Sequence, residues 1–213
     1  MPFCKTDAGL LYFAHVPKCA GTSVEIYLEQ RFGALAFADR EYLSVPPDQR
    51  WPRSSPQHIS VTSLTRLIPA SFFDHVFTVV RHPVNRVISV FQFQQENENL
   101  ISNEMCFSEW LCEIEKRRNE FPFVWDNHIR PMNELVPERA KVFKLEAGLA
   151  PVTRWLDELD PKTASMSEIP VHNTRQQRLD RLKLAGEPAN VSDDDKARIR
   201  AIYAVDFRRF GYE

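Results

Sequence analysis

The sequence predicts an α/β domain with a central, mainly parallel sheet flanked by helices. Two near-continuous apolar runs carry that expectation: residues 10–16, Leu-Leu-Tyr-Phe-Ala-His-Val, and 74–80, with His-Val-Phe-Thr-Val-Val at its core. Strands buried on both faces read this way, as they do in parallel sheets. Each run is followed by a segment with apolar residues at helical spacing. Strands alternating with helices are the pattern of parallel α/β domains.

The elements follow in chain order. The strand at 10–16 is bounded by Gly9 and Pro17. A helix is predicted from Gly21 to Phe32, with Val24, Tyr27, Leu28 and Phe32 on one face and Gly33 placed to end it. Residues 39–56, with Pro46, Pro47, Pro52 and Pro56, read as a surface loop. The strand at 74–80 stops at Arg81-His-Pro, and Pro83 suits the first turn of a helix carrying Val84, Val87, Ile88 and Phe91. A further helix is expected at 107–116 with Ser108 as its cap, a short third strand at 141–145, and a helix at 151–159. Residues 160–190, rich in Pro, Ser, Thr and Arg, read as a long excursion. Ser192 and the three Asp residues after it open a last helix through Arg209, with the acids at its positive end.

With 213 residues, 43% hydrophobic and 26% charged, the chain is expected to form one globular domain over 1–213. A net charge of −2 gives no broad footprint for nucleic acid or membrane surfaces. No apolar run approaches the ~20 residues of a membrane helix, and the N-terminus lacks the pattern of a secretion signal. Cys4, Cys19, Cys106 and Cys112 form no CxxC pair, and Cys106, Cys112 and His128 match no zinc spacing. A reduced cytoplasmic protein without a metal or a disulfide framework is expected.

Two segments carry chemistry. His15-Val-Pro-Lys-Cys-Ala-Gly-Thr-Ser23 places a turn between a strand and a helix start. A helix start offers free N–H groups and a positive dipole end to an anion. Lys18 adds a full charge, Gly21 lets the backbone approach a ligand, and Thr22 and Ser23 add hydroxyls. The Walker A order is absent, because Lys18 precedes Gly21 and Val16 stands where that motif has its first Gly. The second segment is Thr78–Phe91, in which Arg81 leaves a strand end and Ser89 lies in the second turn of the next helix. Arginine suits bidentate phosphate recognition. Two such sites at neighbouring strand ends suggest a ligand with two separated phosphate groups.

Together, Pro-Lys-x-x-Gly-Thr-Ser at 17–23 and Arg-x-Pro-x-x-Arg-x-x-Ser at 81–89 resemble the sulfotransferases that use 3′-phosphoadenosine 5′-phosphosulfate (PAPS). The similarity is greatest to the branch with the Golgi carbohydrate enzymes and their soluble bacterial relatives. It continues through Gln57-His-Ile-Ser60, Asp126-Asn-His-Ile-Arg-Pro131, Val142–Glu146, His172-Asn-Thr174 and Ile202–Tyr212, covering nearly the whole chain in order. The resemblance implies a P-loop-like three-layer fold and a metal-independent reaction. It implies a carbohydrate or glycoconjugate acceptor as partner.

Carried over residue by residue, Lys18, Cys19, Ala20, Gly21, Thr22 and Ser23 would hold the 5′-phosphosulfate, and Arg81 and Ser89 the 3′-phosphate. Lys18 would stabilise the leaving oxygen and His58 would serve as general base, with His128 second choice for that role. His128 and Arg130 are equally compatible with an acceptor site or with loop support. His15 reads as a core histidine, Arg86 as structural, Glu146 as an ion-pair partner, and Asn173 and Thr174 as near the nucleotide. Cys19, beside an anion-binding helix start, is expected to have a lowered pKa. Segments 39–56, 92–130 and 160–190 are the expected acceptor-facing parts. Two other readings stand beside this one: a P-loop nucleotide kinase, disfavoured by the displaced Lys18, and a non-catalytic nucleotide-binding protein, disfavoured by the presence of both Lys18 and His58.

Overall fold

The computed structural model describes residues 1–98, 100–164 and 168–213. Its sheet has the order β1 (Phe3–Thr6), β2 (Gly9–Phe13), β3 (His75–Val80), β4 (Lys141–Lys144). β2, β3 and β4 run parallel, and β1 pairs antiparallel with β2 at the edge. The three expected strands are present. β2 ends at Phe13, so His15 lies beyond the strand rather than in it.

Pleating sorts the apolar runs onto two faces. Leu11, Phe13, Phe77, Val79 and Phe143 pack with Val24, Tyr27 and Leu28 of α1 (Gly21–Phe32) and with Val152 and Leu156 of α6 (Ala150–Leu159). On the other face, Tyr12, Ala14 and Val76 meet Leu64 of α2 (Val61–Leu67), and Val80 meets Met132 and Leu135 of α5 (Met132–Leu135). The sheet therefore has helices on both sides. A second apolar cluster joins α3 (Pro83–Glu96), α4 (Phe107–Glu120) and α8 (Asp193–Ile202) around the fully buried Trp110.

The structure amends four local expectations. α4 is capped by Cys106, whose Sγ accepts from Glu109 N, while the Ser108 hydroxyl donates to Asp195 instead. The last helix is two: Ser192 caps α8 as expected, but the chain breaks at Tyr203 and resumes as α9 (Ala204–Phe210). The 160–190 excursion contains a helix, α7 (Arg175–Leu182), opened by a reciprocal cap between Thr174 and Gln177. Glu146 accepts from His82 N and the Tyr212 hydroxyl and forms no ion pair among the described residues.

Parallel order puts the carboxyl ends of β2 and β3 side by side, which is where open α/β sheets bind ligands. The loops that leave those two ends, 14–20 and 81–82, are the two segments singled out in the sequence.

Candidate active site

The turn from β2 into α1 is built for an anion. Lys18 and Ala20 both adopt left-handed conformations, at φ 66° and 64°. Two non-glycine residues held there cost about 1–3 kcal/mol each. Such a turn gathers successive backbone N–H groups into a concavity that suits an anion. No side chain caps the start of α1, so those N–H groups face a cleft of about 1060 Å³. Lys18, Ala20, Gly21, Thr22, Ser23, His58, Arg81 and Ser89 all line it.

Cys19 departs from this set. Its side chain is buried, its thiol lies 3.6 Å from Pro17 O, and burial pushes the thiol up to about 12. The expected lowered pKa is thus reversed, because the side chain turns into the core while the backbone faces the ligand side. The Ser23 hydroxyl is committed to the 171–174 loop, accepting from His172 N at 2.9 Å and donating to His172 O at 3.3 Å.

Lys18 keeps partial exposure to the cleft, and its ammonium stands 3.6 Å from the centre of the Phe93 ring. Burial, then the positive charges of Arg178 and Arg81, bring its pKa down to about 7. Among the described residues, no carboxylate lies within ion-pair reach of Lys18, Arg81 or Arg178. Cations without an ion-pair partner around one concavity suit a polyanion, although the Glu98 carboxyl in the same cleft offsets part of the charge at Lys18.

Across the cleft, His58 Nδ1 lies 2.7 Å from Asp126 Oδ2. The carboxylate also accepts from Ser55 N at 2.5 Å and from the Ser55 hydroxyl at 2.7 Å. Burial alone would raise the Asp126 pKa, but the His58 charge and hydrogen bond, aided by His128 and Ser55 N–H, hold it at about 2. Asp126 is therefore a carboxylate that accepts from Nδ1–H, which leaves the lone pair of His58 on Nε2. Trp125, Asp126 and Asn127 are all left-handed, with φ of 50°, 51° and 62°. That strained turn grips His58 twice, since Asn127 Nδ2 also donates to His58 O at 2.8 Å.

His128 completes the wall, its ring 5.2 Å from that of His58. One ligand atom from each of His58, Asp126 and His128 fits within a 4.8 Å span, which could hold a cation. Asp126 already satisfies His58 and Ser55 there, so a metal would have to displace a charge-assisted hydrogen bond.

The description "Sulfotransferase family" belongs to a family model that matches residues 3–213. The chain belongs to the sulfotransferase family. No curated protein and no solved structure matches it. The family chemistry is sulfuryl transfer, and its members normally take the group from PAPS. No described helix of the sulfotransferase is long and apolar enough to cross a membrane.

Three supporting residues stand out in this sulfotransferase. Arg86 is fully buried and donates to Pro17 O, His128 O and Arg130 O, a structural role. Arg130 supports the loop through Asn127, Pro122 O and Glu134 rather than lining the cleft. His15 Nδ1 donates to the Glu25 carboxylate at 2.6 Å, and its ring stands edge-on to His58 at 4.7 Å. It therefore lines the cleft rather than the sheet core.

The three expected acceptor-facing segments each contribute to the lining, through Asp39 and Tyr42, through Phe93 and Glu98, and through His172 and Arg178. Asp126 and Arg178 were absent from the sequence-based site. The available signals were the Asp126-Asn-His segment and the Thr-x-x-Gln helix-start pattern at 174–177.

The His15 ring also explains Gly21. A Cβ there would stand 1.7 Å from His15 Nε2. His15 is held by Glu25 and stacks on Phe13, so it has little room to yield. Gly21→Ala is expected to destabilise the protein by about 1–3 kcal/mol, a fall of ~2–4 °C in Tm per kcal/mol for a chain of this size. Adding His15→Ala should recover much of that loss. Additive losses in a thermal-melt double-mutant cycle would disprove the steric explanation.

Proposed function

We propose that the chain is a single-domain, P-loop-like PAPS-dependent sulfotransferase acting on a hydroxyl of a carbohydrate or glycoconjugate. The observation that carries the reading is the pairing of a cationic loop free of direct ion pairs with an oriented His58–Asp126 pair in one cleft. Four free thiols, two of them exposed, favour a reducing cytoplasmic setting. The carbohydrate acceptor rests on the sequence resemblance alone.

PAPS, when bound, supplies a sulfuryl group joined to a 5′-phosphate that can leave. Backbone N–H groups of residues 19–23 and Lys18 hold that phosphate, and Arg81 with Ser89 holds the 3′-phosphate. His58 Nε2 takes the proton of the acceptor hydroxyl as its oxygen bonds to sulfur. The bond from sulfur to the phosphate oxygen breaks, and its electron pair remains on the phosphate. Lys18 offsets the charge that grows there. Positioning and electrostatics thus carry the reaction.

Calorimetry with adenosine 3′,5′-bisphosphate, the expected product, tests the reading in magnesium-free buffer. Micromolar binding is expected, with ATP and AMP much weaker and Arg81→Ala reducing affinity by about tenfold or more. Lys18 adds a pH signature. Its free-state pKa is depressed to about 7, and a bound anion raises it. Above pH 7 binding should take up about one proton, and affinity should fall as pH rises. Measurements in buffers of different ionisation enthalpy read that proton, and its loss in Lys18→Met assigns it to Lys18 rather than to Glu98, which burial raises to about 7 in the same cleft. Tighter, magnesium-dependent ATP binding would favour the kinase reading instead.

A further inference from the structure

Among the described residues, Arg178 is the one Arg or Lys of the cleft outside both motifs that forms no ion pair, since Arg40 pairs with Glu29 and Arg175 with Glu96. Arg178 stands on α7, is only 4% exposed, and lines the cleft. Its Nη1 donates to Asn173 O at 2.8 Å, while its Nε is buried without a partner. A buried, unsatisfied guanidinium donor is costly, and the nearby Glu96 carboxylate is already paired with Arg175.

Phe93 sets where that charge points. The Arg178 Cζ lies 5.1 Å from the Phe93 ring centre, and Lys18 Nζ lies 3.6 Å from the same centre. The two cations are therefore separated by no more than the sum of those distances, and Arg178 is the charge that acts most strongly on Lys18. The His128 ring packs against Phe93 as well, at 5.5 Å, and carries the wall on to His58. Lys18, Arg178 and the proposed general base His58 all line this one cleft. Arg81 serves the opposite end of the same ligand.

We infer that Arg178 binds the sulfuryl group in transit, gripping its oxygens while Lys18 holds the phosphate oxygen that leaves. This rests on the proposed PAPS reaction. No bond changes beyond those already given are required. Arg178 supplies N–H donors and positive charge, and the sulfuryl oxygens accept them. The guanidinium retains donor capacity for those oxygens, because its side-chain hydrogen bond among the described residues is the single one from Nη1 to Asn173 O.

The test compares two ligands that differ by the sulfuryl group alone. Affinities of PAPS and of adenosine 3′,5′-bisphosphate are measured by calorimetry for wild type, Arg178→Gln and Arg178→Lys. Glutamine can still donate to Asn173 O, and lysine keeps the charge, so the loop keeps a support in each. In Arg178→Gln the affinity for PAPS should fall by about tenfold or more while that for the bisphosphate holds, and Arg178→Lys should fall in between. A purely structural Arg178 would weaken both ligands alike, and a phosphate contact would do the same. Either result overturns the assignment, as does no change in either affinity. A wild-type protein that binds neither ligand would instead defeat the PAPS reading itself.

Discussion

Lys18→Met should lower kcat by about 10²–10³, the usual cost of removing one preorganised group from developing negative charge. The fold itself should not suffer. Lys18 makes no ion pair among the described residues, and its ammonium is packed on Phe93, repelled by Arg178 and Arg81 and attracted by Glu98. Removing a desolvated cation that repels its neighbours relieves a cost the fold bears for function. The thermal midpoint of Lys18→Met should therefore equal or exceed that of the parent. Steady-state kinetics and a melting curve together check this. An inactive variant that melts early would mean Lys18 is structural. An active one would remove it from the transition state.

His58→Ala should reduce kcat by about 10²–10⁴, the span for loss of a general base, while bisphosphate affinity stays within about twofold because the cofactor cations lie elsewhere. Asp126→Asn sharpens the test. The carboxylate, at about pKa 2, accepts from Nδ1–H and so fixes the free lone pair on Nε2. An amide can donate to Nδ1 instead and leave Nε2 protonated, the wrong tautomer for a base. Asp126→Asn should thus approach the His58→Ala loss, and the double variant should be little worse than either alone. Multiplying losses would show that the two residues act independently.

Much of the fold was legible because it rests on contiguous chemistry. β2 and β3 are short apolar runs, β4 sets Val142 and Phe143 between two lysines, and α1 ends at Gly33 where a glycine with positive φ is wanted. β1 was missed because Phe3-Cys-Lys-Thr is four residues long and pairs at an edge, which leaves too little pattern to read. α7 was missed for a related reason: Arg-Gln-Gln-Arg-Leu-Asp-Arg-Leu has one buried apolar residue, Leu179, and its cap is the clearer sign. In the site, Lys18, Gly21, Arg81 and Ser89 lie in two local motifs, and the structure brings them to one cleft. Asp126 stands 68 residues from His58, and nothing in the intervening chain announces that they meet. The Cys19 error came from treating proximity to a helix start as exposure to it, when two left-handed neighbours turn the side chain inward.

Arg86 has a wider consequence. Its guanidinium holds Pro17 O, at the entrance of the anion loop, together with His128 O and Arg130 O in the segment that carries Asp126. One bolt therefore sets the spacing between the half of the site that grips the donor and the half that aligns the base. At the cleft rim, Tyr42 and Leu43 hydrogen-bond within their own loop, to Pro52 and Arg50, and the rim meets the base-carrying half through a backbone contact, Gln57 to Asp39 O. The rim loop is free to be rewritten for a different acceptor while the reacting atoms keep their register, so selectivity and chemistry can be engineered as separate modules of one small chain.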